Sequence, residues 1–260
     1  MSGGLVDYTL EDGVAIVRLN DPATLNAMSD AMGAELREAV ARAQGEARAL
    51  LIGSHGRAFC SGANLSSGSF AMDDPDRDVG SGLEAVFNPL LLDLRNSAIP
   101  VLSAVRSAAA GVGCGLALAA DLIVAGESAY FYQAFCHVGL SPDGGSSYLL
   151  ARAIGRVRAM EMMLLGDKLT AAVALDWGLI NRVVPDDQVD ATALALAVRL
   201  ARGPRSLGFI RAAAWAGADQ PFAEALDSER VLQRHSGRTD DFAEGVAAFQ
   251  HKRKPDFQGR

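Results

Sequence analysis

Two short turns rich in small residues could do chemistry in this chain. Ala63 lies in a turn after the apolar stretch 49–54, and Gly111-Val112-Gly113-Cys114 follows the stretch 99–105. Where a strand ends and a helix begins, the first amides of the helix have no intrahelical acceptor, and small residues let a ligand oxygen come close. Two such donors stabilise negative charge on a carbonyl oxygen without metal or cofactor. The paired turns therefore predict an oxyanion pocket suited to an enolate.

Other chemistries are poorly supported by the sequence. The chain has neither G-x-G-x-x-G spacing nor a Gly-Lys-Ser/Thr ending, which disfavours a phosphate-binding loop. Residues 126–130 begin like the nucleophile elbow of a serine hydrolase but lack its second glycine. Tight packing is the alternative explanation for the small residues at the two turns. The cysteines lack a C-x-x-C pair and the histidines lack ligand spacing, so we expect neither disulfides nor a metal site.

Length and composition limit the class of protein. The chain has 260 residues, half of them hydrophobic, and a formal net charge of −7. This length can bury a core as one large domain, or as a domain with a small appendage. No run approaches the about 20 apolar residues of a membrane helix, and no signal peptide is visible. Because an acidic balance also disfavours nucleic acid, we expect a cytoplasmic protein with neither membrane nor nucleic acid as a partner.

Hydrophobic periodicity predicts an α/β chain around the two turns. Alternation on both sides of Gly13 predicts an antiparallel hairpin, and Ser29 is a predicted cap for a helix with an apolar residue at every fourth position. Residues 66–80 are rich in Ser, Gly, Pro and Asp and predict either a surface loop or a lid over a ligand. Further predicted elements are strands at 49–54, 99–105, 121–125, 129–132 and 179–184, and helices at 83–97, 157–165, 170–177 and one that ends near residue 155.

The last part of the chain has a helical pattern, in contrast to the α/β pattern before it. From Val189 onward the pattern is helical, with segments at 189–202, 204–216, 221–233 and 239–249. We place a boundary near residue 195, which divides an α/β core with the site (residues 1–195) from a helical region (residues 196–260). The apolar faces of these helices need a partner, so the helical region is predicted to mediate oligomerisation.

Further characteristic segments are spread along the chain. They are Phe59 to Leu65, Gly111 to Cys114, Val138 to Gly145, Gly166 to Thr170 with Ala174, Trp177 to Val184, and Glu244-Gly245 to Pro255. In order and spacing, these segments resemble the crotonase superfamily of enoyl-CoA hydratases and isomerases. The likeness covers nearly the whole chain, and several spaced matches are more specific than any one motif.

The resemblance implies a fold, a ligand and residue roles. The fold would be a spiral of ββα turns with a helical trimerisation region, assembled as a homotrimer or hexamer. An acyl-CoA thioester would bind with its carbonyl oxygen between the amides of Ala63 and Val112, and CoA would be part of the substrate rather than a cofactor. The residues implied to line the CoA groove and the acyl site are Asn26, Ala27, Asn64, Leu65, Gly111 and Phe135, with Lys252 reaching the CoA phosphates of a neighbouring subunit.

The chain departs from the superfamily where hydratases carry two glutamates that activate water. These positions read Gly115 and Phe135, and neither side chain can transfer a proton. Asp143 falls where many isomerases of the superfamily carry a proton-shuttling acid. In an arbitrary protein, a Pro-Asp-Gly-Gly turn merely caps the next helix. Facing an apolar pocket, Asp143 should have a raised pKa, which suits a base that also acts as an acid.

Three functional hypotheses follow from the resemblance and these departures. The leading one is an isomerase that shifts a 3-enoyl-CoA double bond to position 2 or rearranges a ring-epoxide of an aryl-acetyl-CoA. The second is an acyl-CoA binding protein that has kept the pocket but lost catalysis. The third is a hydratase that works through Asp143 alone.

Overall fold

The chain repeats a unit of a long strand, a short strand and a helix in the computed structural model, which describes residues 4–64 and 73–260. Six strands form one sheet in the order β1-β2-β3-β4-β6-β9, antiparallel at β1-β2 and parallel elsewhere, and β5, β7 and β8 form a second sheet. In chain order the strands are β1 (Val6–Glu11), β2 (Val14–Leu19), β3 (Ala49–Ser54), β4 (Val101–Val105), β5 (Ala108–Ala110), β6 (Leu122–Gly126), β7 (Tyr130–Tyr132), β8 (Leu169–Thr170) and β9 (Arg182–Val184).

Helices follow the short strands and form most of the C-terminal region. In chain order those of the described residues are α1 (Asp30–Glu46), α2 (Asn88–Arg95), α3 (Val112–Leu118), α4 (Ser146–Leu165), α5 (Ala171–Asp176), α6 (Val189–Ala201), α7 (Ser206–Gly217), α8 (Phe222–Ser236) and α9 (Asp240–Gln250). A wide helical turn at Leu83–Phe87 leads into α2. The α/β class expected from the sequence is thus confirmed.

The central strands are buried on both faces, which explains why they read as continuous apolar runs. Every residue of β3 and β4 is buried. One face of the large sheet packs with α1, α2, α3 and α4, and the other face packs against α6. In α6, the side chains of Val189, Ala193, Ala197 and Ala201 recur at every fourth position and are buried against the sheet.

Several local predictions are confirmed, and two short strands, β5 and β8, were missed. The hairpin around Gly13 forms, and the Ser29 side chain accepts a hydrogen bond from the Met32 amide at the start of α1. Gly155 interrupts α4 with a φ of 79°, as the two predicted helices on either side of it require. The stretch before α3 was expected to run from β4 through a turn into a helix. It instead forms β5, because its three alanines pair with β7 in the second sheet.

The C-terminal region continues from the core without a break at the predicted boundary. Residue 195 lies inside α6, whose apolar side packs on the large sheet. The division into a core and an oligomerisation region stays a prediction. Within residues 4–64 and 73–260, no helix is both long and apolar enough to cross a membrane. The same residues contain no group of three or more His, Cys, Asp or Glu side chains that could hold a metal ion.

Candidate active site

The two small-residue turns lie side by side. The segment after β3 runs along β5, where the Cys60 amide donates to the Ala108 carbonyl (2.9 Å) and the Ala110 amide donates to the Cys60 carbonyl (3.0 Å). These bonds pair Cys60 with Ala109 in parallel register. Three residues further on, these two segments of the chain reach Ala63 and Val112. Since parallel strands lie about 4.8 Å apart, this register brings the two predicted amide donors into neighbouring positions.

Both amides lie where the backbone leaves them without an acceptor. Val112 is the first residue of α3, and the Gly111 carbonyl before it accepts from the amides of Cys114 and Gly115. Ala63 lies between Gly62, whose carbonyl accepts from Met28, and Asn64, whose amide donates to Met28. No backbone acceptor for the Ala63 or Val112 amide occurs among the residues that the structure describes.

The turn that carries Asp143 packs directly on the first turn of α3. The Asp143 carbonyl accepts from the Ser146 amide (3.0 Å), which closes a tight turn at the start of α4. A Cβ atom placed on Gly144 would lie 3.1 Å from the Cα atom of Val112. The structure therefore brings the turn of the predicted proton shuttle against a predicted oxyanion donor, although the two are 31 residues apart in the sequence (143 minus 112).

The Asp143 carboxyl group is partly removed from solvent. Its side chain is partly buried, and Oδ1 is buried without a hydrogen-bond partner among the described residues. Desolvation by burial raises the pKa of this carboxyl to about 6. A carboxyl group with such a pKa is present in both its charged and its neutral form near neutral pH, so it can both accept and return a proton.

Phe135 and Gly115 stand at the two positions where hydratases of the superfamily carry glutamates. Phe135 is buried, and its Cζ atom would lie 3.6 Å from a Cβ atom placed on Gly111, so the ring borders the second predicted oxyanion turn. Gly115 has no room for any side chain, because a Cβ atom there would lie 2.0 Å from the Gly144 carbonyl oxygen. Neither position can supply an acid to the site.

Asn26, a predicted CoA-groove residue, bonds only to backbone groups through its side chain. Its side chain is fully buried: Nδ2 donates to the carbonyls of His55 (2.9 Å) and Ala58 (2.8 Å), and Oδ1 accepts from the Asp21 amide (2.9 Å). Both amide hydrogens are therefore used within the protein. Asn26 holds the loop that contains Ala27 against the segment after β3, which leads to Ala63 in the first predicted oxyanion turn.

The remaining predicted groove residues differ in where they lie. Asn64 is partly buried and bonded to Met28 through its backbone amide, next to Ala63 in the first predicted oxyanion turn. Leu65 lies outside the described residues, as does residue range 66–72 of the predicted loop or lid. Lys252 is exposed just after α9, and no hydrogen bond or ion pair between described residues joins it to the two turns. Its predicted contact with a neighbouring subunit stays a prediction.

One contact was missed by sequence reasoning. The Gly144-Gly145 pair was interpreted only as part of a turn, whereas Gly144 also makes the close backbone contact with α3. Two consecutive glycines next to a candidate acid are the signal that could have indicated such a contact, since a backbone lacking Cβ atoms can approach another backbone closely.

Comparisons with known proteins agree with this fold. The enoyl-CoA hydratase/isomerase family model matches residues 9–260. The chain therefore belongs to the enoyl-CoA hydratase/isomerase family, within the crotonase superfamily that its motifs resemble. Among solved structures, an enoyl-CoA hydratase from Polaromonas sp. JS666 aligns with a TM-score of 0.89 and 31% identity, covering 98% of this chain and 100% of that one.

The names of similar sequences are divided between the two activities. A protein of Rhodobacter capsulatus, named a probable enoyl-CoA hydratase, is 42% identical over the full length of both chains. The 1,2-epoxyphenylacetyl-CoA isomerase of Escherichia coli is 41% identical, over 96% of this chain and 97% of its own. The trans-2-decenoyl-[acyl-carrier-protein] isomerase of Streptococcus mutans is 32% identical, over 97% of each chain. Family membership alone therefore does not separate a hydratase from an isomerase.

Proposed function

We propose that this protein is an acyl-CoA isomerase that works through an enolate. The amides of Ala63 and Val112 donate to the thioester carbonyl oxygen, and Asp143 moves a proton between two carbon atoms of the acyl chain. CoA is part of the substrate, and the reaction requires no further cofactor. Each preorganised donor of this kind is worth about 3 to 4 kcal/mol of transition-state stabilisation where it has been measured.

For a 3-enoyl-CoA the reaction has two proton transfers. The Asp143 carboxylate removes a proton from C2, and the electron pair of that C–H bond forms a dienolate whose negative charge lies largely on the thioester oxygen. The two amides stabilise this charge. The Asp143 carboxylic acid then returns the proton to C4, so that the double bond lies between C2 and C3. One proton leaves and one is added, and the substrate is neither oxidised nor reduced.

The observation that carries the proposal is the environment of Asp143. This acid lies on a turn in contact with Val112, its pKa is raised to about 6, and one of its oxygens is buried without a partner among the described residues. These are properties of a proton shuttle more than of a helix cap. Water activation by two glutamates is unsupported, because Gly115 and Phe135 stand in their places.

A ring-epoxide substrate is the second candidate within the same reaction class. It is supported by the 41% identity with the E. coli enzyme named 1,2-epoxyphenylacetyl-CoA isomerase. Holding the thioester oxygen between the amides of Ala63 and Val112 would serve both substrates, because each forms an enolate-like intermediate. A panel of 3-enoyl-CoA and epoxy-aryl-acetyl-CoA substrates, compared by kcat/KM, separates the two candidates.

The proposal is tested by turnover of 3-enoyl-CoA with the wild type and the Asp143→Asn variant. Loss of a positioned acid or base typically costs 10²–10⁴-fold, so we expect kcat to fall by at least about 100-fold. Because the carboxylate form is the base, kcat/KM of the wild type should fall about tenfold per pH unit below a midpoint near pH 6. The matched control is Asp167→Asn, at an exposed aspartate beyond α4, which should retain wild-type turnover.

Equal rates for the wild type and Asp143→Asn would remove Asp143 as the base. Tight binding of CoA thioesters without turnover across the panel would instead support the non-catalytic alternative. Incorporation of ¹⁸O from labelled solvent into a 3-hydroxyacyl product would support a hydratase. Each of these results contradicts the proposed isomerase in a different way.

A further inference from the structure

Gly115 makes an unusually close backbone contact outside the predicted catalytic groups. It lies in the first turn of α3, three residues after Val112. A Cβ atom placed on Gly115 would lie 2.0 Å from the carbonyl oxygen of Gly144, 2.8 Å from its carbonyl carbon and 3.1 Å from its Cα atom. Cβ atoms do not approach other heavy atoms so closely, so even a methyl group at residue 115 forces a displacement.

The same contact also leaves little room for a side chain at Gly144. A Cβ atom on Gly144 would lie 3.1 Å from Val112 Cα and 3.4 Å from its Cγ2 atom. Gly144 also has a φ of 59°, a conformation that glycine adopts without a steric penalty. Gly115 and Gly144 together therefore allow two backbones to touch, that of the first turn of α3 and that of the turn carrying Asp143.

If a side chain were added at residue 115, the Asp143 turn would be the part that moves. All residues of α3 are buried, and the helix has no free space behind it, because a Cβ atom on Gly113 would lie 2.6 Å from Cys60. The Asp143 turn has fewer constraints, since residues 139–141 and Gly145 are exposed. A side chain at residue 115 would therefore move the Asp143 turn rather than α3. This motion would carry Asp143 away from Val112.

We infer that Gly115 is a positioning residue: the absence of a side chain there lets the Asp143 turn sit against the oxyanion helix. The catalytic consequence rests on the proposed isomerase function, whereas the contact itself does not. A side chain at residue 115 and the present position of the Gly144 carbonyl, directly after Asp143, exclude each other sterically. A glutamate introduced at residue 115 would consequently displace the acid at residue 143 instead of working beside it.

The inference is tested with Gly115→Ala by two readouts, of which only one depends on activity. The first is titration of the Asp143 carboxyl carbon, followed by NMR with ¹³C-labelled aspartate and assigned with Asp143→Asn. We expect a midpoint near pH 6 in the wild type and a lower midpoint in Gly115→Ala, because a displaced carboxyl is better solvated. The second is turnover, with kcat lowered by about tenfold or more while KM changes little, because misplacement affects the reaction more than CoA binding.

The matched control is Gly45→Ala in α1, where a Cβ atom meets nothing within 4 Å. It should leave both readouts at wild-type values. Gly144→Ala, on the other side of the same contact, provides a second variant if Gly115→Ala does not fold, and it should lower the same midpoint. Thermal unfolding of each variant establishes that it is folded before it is titrated.

The outcomes separate this inference from the proposed function. An unchanged Asp143 midpoint and unchanged kcat in Gly115→Ala overturn the positioning role, even if Asp143→Asn is inactive. A lowered midpoint in Gly115→Ala supports the positioning role even if the wild type does not turn over 3-enoyl-CoA, a result that would contradict the proposed isomerase alone. Hydration activity in Gly115→Glu with an unmoved Asp143 midpoint would also overturn the inference.

Discussion

At the scale of single residues, Asp143 combines a cost to the fold with the proposed use in catalysis. Its carboxyl is desolvated, so the charged form is disfavoured and the pKa is raised to about 6. The unfolded chain would have an aspartate pKa of about 3.9. The native state therefore binds this proton more tightly than the unfolded state does. The stability that Asp143 contributes is fully present below about pH 4 and is lost as the pH rises through about 6.

This linkage predicts that Asp143→Asn stabilises the protein at neutral pH, since asparagine has the shape of the neutral acid and no charge to desolvate. We expect the free energy of unfolding at pH 7.5 to rise by about 1–2 kcal/mol, a value below the full shift because the carboxyl is only partly buried. Near pH 4 the two proteins should be equally stable. Denaturant unfolding at both pH values, at one protein concentration, measures the difference, with Asp167→Asn as the control. A variant less stable than the wild type at pH 7.5 would contradict this account.

At the scale of elements, a polar cluster holds the start of α4, where the Asp143 turn ends. The Tyr148 hydroxyl donates to the Asp219 carboxylate and accepts from Arg95 Nη1 (2.9 Å). Asp219 also accepts from Arg95 and from Arg152 Nη2 (2.7 Å), and the Arg152 guanidinium lies 3.6 Å from the centre of the Tyr148 ring. The hydrogen bond from Tyr148 and the two arginines lower the pKa of Asp219. The cluster joins the end of α2, the start of α4 and the segment after α7.

Removing the Tyr148 hydroxyl should loosen the start of α4 and the turn before it. In Tyr148→Phe we expect the unfolding temperature to fall by about 2 °C and kcat by up to about tenfold at a nearly constant KM. Tyr8→Phe is a close control, because Tyr8 also donates to a carboxylate, that of Glu46, and lies under an arginine, Arg42. That cluster is far along the chain from the two turns, on β1 and α1. Equal losses of kcat in both variants would show that the Tyr148 cluster has no particular connection to the site.

The elements also show which parts of the structure were predictable from sequence. Local signals were sufficient for the Ser29 and Thr239 caps, both of which form, and for the interruption at Gly155. β5 was missed because a stretch of alanines has no strand signal of its own and pairs only with distant segments. The glycine pair at residues 144 and 145 could have indicated a close backbone contact, but not that Gly115 is its partner, since the partner depends on how two separate elements pack.

At the scale of the whole molecule, the C-terminal helices differ in how they are held. α7 is anchored by Arg211, whose buried guanidinium donates to Asp121 and to the backbone carbonyls of Leu94, Arg95 and Ser97. These bonds satisfy the last carbonyls of α2 and tie the C-terminal region to the core. In contrast, none of the 15 residues of α8 is buried. A helix without a fully buried residue gains less stability from packing within its own chain than α6 or α7 does.

Large apolar side chains on α8 and α9 face outward and are therefore expected to contact another copy of the chain. Phe222 is 79% exposed and Phe249 is 83% exposed, and Leu226, Phe242 and Val246 are also exposed. Burying a side chain of this size is worth about 1.5–3 kcal/mol, which favours assembly, and the predicted state is a homotrimer or hexamer.

The double variant Phe222→Glu with Phe249→Glu should therefore shift the protein towards monomers, with the dissociation constant raised by at least about 100-fold. Sedimentation velocity over a concentration series measures this, with Leu10→Glu on β1 as a control that introduces a glutamate at another exposed apolar residue. The control should sediment as the wild type does. A wild type that is monomeric at micromolar concentrations, or a double variant that still assembles, would exclude these two helices as the assembly surface.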